Sequence, residues 1–147
     1  MRAASGRGER RQLPFTTHTD GPVSLAVDFT RQALAEWHLV TPAPGRPPHL
    51  ADDILLVVLE LVTNACRHGK GPRELLIEHR PGLLRIEVSD HSCALPVLSA
   101  GRVDGSGGHF GVLIVERVTR RWGTVPDPDY RGKTVWAELS TGLTAVL

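Results

Sequence analysis

Residues 54–59, Ile-Leu-Leu-Val-Val-Leu, are apolar without a break and run directly into Glu60-Leu61-Val62-Thr63-Asn64-Ala65-Cys66-Arg67-His68-Gly69. An apolar run of this kind predicts a helix buried in a core. The same helix must then carry Glu60, Asn64, Arg67 and His68, which follow Glu60 at spacings of four, seven and eight residues and so share one helical face. A carboxylate and an amide on the inner part of a helix need partners, because an unpaired buried polar group costs about 1–3 kcal/mol. Carboxylate and carbonyl oxygens are what a hard cation such as Mg²⁺ takes as ligands, and Mg²⁺ commonly arrives with phosphates. One helix therefore points toward a magnesium–nucleotide site.

The rest of the chain frames that helix. At 147 residues it is long enough for one domain with a real core. A net charge of +1 argues against bulk nucleic-acid binding. The basic residues Arg2, Arg7, Arg10 and Arg11 sit among Gly, Ala and Ser. Residues 1–12 are read on that ground as a disordered basic tail. No apolar signal segment and no stretch of membrane-span length is present in the sequence, so no membrane partner is expected. Two cysteines, Cys66 and Cys93, make no disulfide framework, which fits reduced thiols and a cytoplasmic location.

Along the chain, Leu13 to Thr17 has the look of a short edge strand. Asp20 and Pro22 have the cap and first-turn chemistry of a helix start, with the helix itself from Val23 to Leu39. Thr41 to Pro48 holds four prolines and a glycine and is a loop. The long helix runs from about Leu50 to His68 and ends at Gly69. Strands follow at Glu74–His79 and Leu83–Ser89, joined by a Pro81-Gly82 turn. A loop from Cys93 to Gly108 leads to a helix over about Gly111–Arg121, then a turn region at Trp122–Tyr130 and a last strand at Thr134–Leu139. This order favours an α+β fold, a two-layer sandwich whose mixed, mostly antiparallel sheet has helices over one face.

Two further clusters have functional chemistry. Asp90-His91-Ser92 closes an alternating strand, where a carboxylate is placed either to accept a hydrogen bond from a ligand amine such as adenine N6 or simply to cap a turn. Gly105-Ser106-Gly107-Gly108-His109-Phe110-Gly111 precedes an apolar run, which makes either a phosphate-binding loop at a helix N-terminus or a plain flexible loop. Gly132-Lys133-Thr134 is not a P-loop ending, because Asp127 stands where the upstream glycine belongs and a strand pattern follows. The seven histidines lack zinc-ligand spacing, and His68 is better explained as a capping or packing residue at a helix end than as a catalyst.

Taken in order, these blocks resemble the Bergerat-fold ATPases, the group that includes DNA gyrase, histidine kinases and MutL. Residues 60–69 resemble its N-box, Asp90-His91-Ser92 its first glycine box, Gly105–Gly111 its second and residues 132–139 its closing strand. The likeness covers residues 13–140, leaving 141–147 as a C-terminal tail. The stretches ELVTNACRHG, RIEVSDHS, VERVTRRWG and GKTVWAEL are most similar to stand-alone anti-sigma-factor serine/threonine kinases of the RsbW and SpoIIAB kind, especially actinobacterial ones.

The resemblance implies ATP and Mg²⁺ as cofactors, with Asn64 as the magnesium ligand and Glu60 as the general base. Asp90 is implied to read the adenine amine, aided by Ser92 and by Thr134 through water. His68 and the second-box residues Gly105, Gly107, Gly108, His109, Phe110 and Gly111 are implied to line the nucleotide. It implies a sigma factor and a STAS-domain anti-anti-sigma protein as partners, a homodimer, and no direct contact with nucleic acid. Ser92 stands where classical members have glycine, His109-Phe110 interrupts the second box, and Val27-Asp28 replaces an expected partner-contacting arginine. The alternative is a catalytically weak or inactive module of the same fold that regulates a protein partner by contact alone.

Overall fold

The computed structural model describes residues 8–94, 109–129 and 131–142. Its elements in chain order are β1 (Glu9–Pro14), α1 (Pro22–Glu36), α2 (Leu50–His68), β2 (Pro72–Arg80), β3 (Leu83–Asp90), α3 (His109–Val118), β4 (Arg121–Pro126) and β5 (Lys133–Ser140). The apolar run becomes α2 as the sequence predicts. Leu50, Ile54, Val57, Val58, Leu61, Val62 and Ala65 are its buried residues, a stripe at the three-to-four spacing of one helical face. Asp52 and Asp53 in its first turn and Arg67 and His68 in its last complement the helix dipole.

The five strands form one sheet in the order β1-β2-β3-β5-β4. All four pairings are antiparallel, so among the described residues the sheet is not mixed but wholly antiparallel. Its register separates two faces. Leu84, Ile86, Val88 and Asp90 of β3 lie opposite Leu139, Ala137, Val135 and Lys133 of β5 and face the helices. Leu75 and Ile77 of β2 continue this face, and α1 and α2 cover it. Leu83, Arg85, Glu87 and Ser89 point the other way, toward Ser140, Glu138, Trp136 and Thr134. The α+β, helix-covered sheet predicted from the sequence is the observed architecture.

Local readings need several corrections. The edge strand begins at Glu9, so Glu9 to Gln12 belong to the sheet and not to a tail. Antiparallel pairing with β2 holds this segment, and Glu9 accepts a 2.7 Å hydrogen bond from the indole Nε1 of buried Trp37. Residues 1–7 lie outside the described residues. Helix α1 is capped by Gly21 in the left-handed region (φ 57°), not by Asp20, and ends at Glu36. Gly82 supplies the positive φ (78°) that the β2–β3 turn requires. The expected turn region at Trp122–Tyr130 is in its first half a strand, because Trp122 and Thr124 pair across to Ala137 and Val135. The third helix accordingly stops at Val118.

Candidate functional site

The end of α2 meets the end of β3, and Asp90 lies at the junction. Asp90 is 2% exposed although it ends a strand, because it falls on the helix-facing side of the sheet. Its Oδ1 accepts the Ser92 N–H at 3.0 Å, which turns the chain out of the sheet, and the Ser92 hydroxyl accepts the Ala94 N–H at 3.1 Å. Asp90 thus caps a turn through Oδ1 alone. The other oxygen, Oδ2, lies 2.8 Å from Nζ of Lys133. Lys133 is 3% exposed and also donates to the Ser92 carbonyl at 3.2 Å.

Two glycines make room for this arrangement. A Cβ on Gly69 would stand 2.5 Å from Asp90 Oδ2, so only glycine lets the end of α2 approach the carboxylate. Gly69 has φ −103°, so close approach and not a left-handed cap explains it. Its carbonyl accepts the His91 N–H at 2.9 Å, tying α2 to the residue after Asp90. Gly132 is packed under the Asp90 carbonyl in the same way. Arg73 on β2 completes the frame. Its Nε donates to the Asp90 carbonyl at 2.9 Å, and its guanidinium forms an ion pair with Asp127.

The helix residues occupy a neighbouring zone. Asn64 and Glu60 are partly buried, whereas Arg67 and His68 are exposed. The polar stripe therefore lies on the flank of α2 and not on its inner face as the spacing suggested, since the inner face is filled by the apolar stripe. With a 1.5 Å rise per residue, Asn64 stands about 7 Å along the helix from Gly69 and Glu60 about 6 Å further. Burial raises the Glu60 carboxyl above its ordinary value, with Arg67 pulling weakly in the opposite direction. A carboxylate so shifted is a better proton acceptor near neutrality.

Not every expected residue joins the site. Thr134 lies opposite Ser89 on the far face of the sheet, its hydroxyl 2.9 Å from that of Ser89, and is not brought to Asp90. Lys133 stands where Thr134 was expected. Its position had a signal in the sequence: Val135, Ala137 and Leu139 alternate as core residues, and the same period places 133 on their face. Arg73 and Asp127 had no such signal, because 54 positions separate them. Gly105, Gly107 and Gly108 lie outside the described residues. His109, Phe110 and Gly111 open α3, and the side chains of His109 and Phe110 lie outside the described residues as well.

On the other flank of α2, about 200° round from Asn64, Cys66 borders a separate cleft of about 260 Å³. Thr16, Thr17, Lys70 and His91 also line it.

Among the described residues no group of three or more His, Cys, Asp or Glu is arranged to hold a metal ion. The side-chain oxygen of partly buried Asn64 is a donor of the kind Mg²⁺ takes when phosphates and water complete its shell. No helix among the described residues is long and apolar enough to cross a membrane.

A family model described as "Histidine kinase-, DNA gyrase B-, and HSP90-like ATPase" matches residues 49–143 of this chain. No curated protein matches it.

Proposed function

This chain belongs to the histidine kinase-, DNA gyrase B- and HSP90-like ATPase family, and on that premise we propose that it binds Mg-ATP at the junction of α2 and β3 and acts as an anti-sigma serine/threonine kinase. The observation that carries the nucleotide reading is the buried carboxylate of Asp90, fixed at a strand end by the backbone of Ser92 and approached by the backbone of Gly69. An ionised carboxylate is an acceptor only, which suits recognition of an amine.

In this reading Asp90 would recognise the base of ATP, and Asn64, further along α2, would be the residue that holds Mg²⁺, whose charge would stabilise the phosphates. The bound nucleotide supplies a transferable phosphoryl group. The chain's own residues supply position and proton acceptance, which is most of what phosphoryl transfer asks of a protein. Glu60 takes the proton from the attacking serine hydroxyl of a partner. Its raised pKa suits that role, and the acid limb of the activity should lie above that of an ordinary glutamate. The partners proposed are a sigma factor, held by contact, and a STAS-domain anti-anti-sigma protein, phosphorylated on serine. The sequence likeness over residues 60–69, 85–92, 115–123 and 132–139 supports this choice of partners.

The reading is tested by measuring phosphate transfer from ATP to the serine of a STAS-domain protein. Glu60→Gln should reduce transfer by 100-fold or more, on the order of a lost general base, while leaving Mg-ATP binding within about twofold. Normal transfer by Glu60→Gln would remove Glu60 from the role of base. A contact-only regulator is favoured by one observation, the engagement of Asp90 by Lys133. It would bind its partner equally well with and without nucleotide.

A further inference from the structure

Lys133 is the least expected residue of the site. It begins β5 directly opposite Asp90, and the two side chains are only 4% and 3% exposed. Lysine is rarely buried to this degree. A buried ion pair is no general source of stability, because an apolar pair of similar size is often as good or better. Packing alone thus gives no reason for a lysine here.

The hydrogen bonds around Asp90 suggest one. Oδ1 is taken by the Ser92 N–H, and Oδ2 faces Lys133 Nζ at 2.8 Å with the Gly69 backbone pressed beside it. The carboxylate is enclosed by its own chain. To a carboxylate, an ammonium group and the exocyclic amine of a purine offer the same feature, an N–H donor. The ammonium offers it with a full positive charge and therefore more strongly. Lys133 is also held from behind by the Ser92 carbonyl at 3.2 Å, so it is positioned to stay.

We propose that Lys133 occupies the amine-recognition position of Asp90 in the ligand-free protein, and that by competing for this carboxylate it sets both the affinity and the base selectivity of the site for 6-aminopurine nucleotides. This rests on the reading of Asp90 as the base-recognising residue. An incoming amine must share or displace the ammonium at Oδ2, so the wild-type site gives up much of the preference for an amine over an oxo group that a free carboxylate would confer. Lys133 is in this sense a specificity-determining residue, and no contact between it and the nucleotide is required.

The test is calorimetric titration of wild type, Lys133→Met, Lys133→Thr and Asp90→Asn with Mg-ATP and with Mg-ITP, which carries an oxo group in place of the 6-amine. Circular dichroism melts select folded variants, and the threonine variant serves if the methionine variant is unfolded. Freed of the ammonium, Asp90 should bind Mg-ATP about tenfold more tightly, the effect of one competing hydrogen bond, with Mg-ITP changed by less than about twofold. Adding Asp90→Asn to Lys133→Met should abolish the gain. Mg-ATP binding that Asp90→Asn weakens but neither Lys133 variant tightens would overturn this proposal and leave the base-recognition reading standing. Equal tightening of ATP and ITP would also overturn it, since the gain would then have nothing to do with the amine. Wild-type Mg-ATP binding that is indifferent to Asp90→Asn would overturn the base-recognition reading itself, and this proposal with it.

Discussion

Strands β3 and β5 carry buried charge on both of their faces, and the two faces solve the problem differently. On the helix side, at the strand ends, Asp90 and Lys133 have one charged partner each, and both are closed in by backbone. On the open side, in mid-strand, Glu138 is shared between Arg85 at 2.8 Å and Arg121 at 2.6 Å, and Arg85 also reaches Glu87 at 2.7 Å. The Arg85 guanidinium lies 4.5 Å from the centre of the Trp136 ring, and Trp136 in turn rests on Gly123, where a side chain would collide with the indole. This outer cluster is redundant, stacked and partly wetted at its arginines, features that suit a covering for a bare sheet face. The inner pair is single and sealed. Glu138 and Arg85 can each lose one charged partner and keep another, whereas either member of the inner pair has only the other to lose.

The contrast can be broken most severely at the inner pair. Asp90→Ala leaves Lys133 buried without a carboxylate and should cost about 3–5 kcal/mol, read by urea unfolding. A loss below about 1 kcal/mol would mean that the pair is less sealed than its geometry indicates. Gly69→Ala should come next, because the added methyl collides with Asp90 Oδ2. Overpacking of this kind costs about 1–3 kcal/mol. Its diagnostic is a matching loss of Mg-ATP affinity, since the carboxylate must shift.

Glu138→Gln on the outer face should cost about 1–2 kcal/mol at neutral pH and should also change the acid response. Burial alone would raise the Glu138 carboxyl, but the hydrogen bonds and the positive charges of Arg121 and Arg85 together outweigh burial and hold it below its ordinary value. A carboxylate depressed by folding contributes stability that is present above its unfolded value and is lost as pH falls through its folded value. The stability gap between wild type and Glu138→Gln should therefore close on acidification, and a gap independent of pH would contradict the assignment. The smallest effect belongs to Arg121→Ala. Its side chain is 67% exposed and Arg85 remains to serve Glu138, so the expected loss is about 0.5 kcal/mol or less.

What could be read from the sequence follows the same division. The long helix was legible because its apolar stripe and its Gly69 end are local signals, and the α2 boundaries match the predicted Leu50–His68. The paired strands over 72–90 were legible from alternation and a Pro-Gly turn. The wholly antiparallel order was not, because pairing direction depends on which distant strand lies next, and β5 comes between β3 and β4. Strand β4 was hidden by Gly123 and the prolines at 126 and 128, which carry turn chemistry although the segment pairs with β5. Of the candidate site, Glu60, Asn64 and Asp90 stand out in the sequence by residue type and spacing, and the resemblance implies their roles. Lys133 was not legible because the motif likeness lies in its neighbour Thr134, one position out of register and hence on the opposite face. Arg73 and Asp127 meet only through the tertiary fold.

The most direct measurement of the central claim, that the α2–β3 junction is a Mg-ATP site centred on Asp90, is calorimetric titration of ATP into wild type, Asn64→Ala and Asp90→Asn, each with and without Mg²⁺. The expected result is wild-type binding that Mg²⁺ strengthens, with the Mg²⁺ enhancement lost in Asn64→Ala and affinity lowered in Asp90→Asn regardless of Mg²⁺. Binding of equal strength in all three proteins would contradict the site, and no binding to wild type at millimolar ATP would contradict the use of nucleotide altogether.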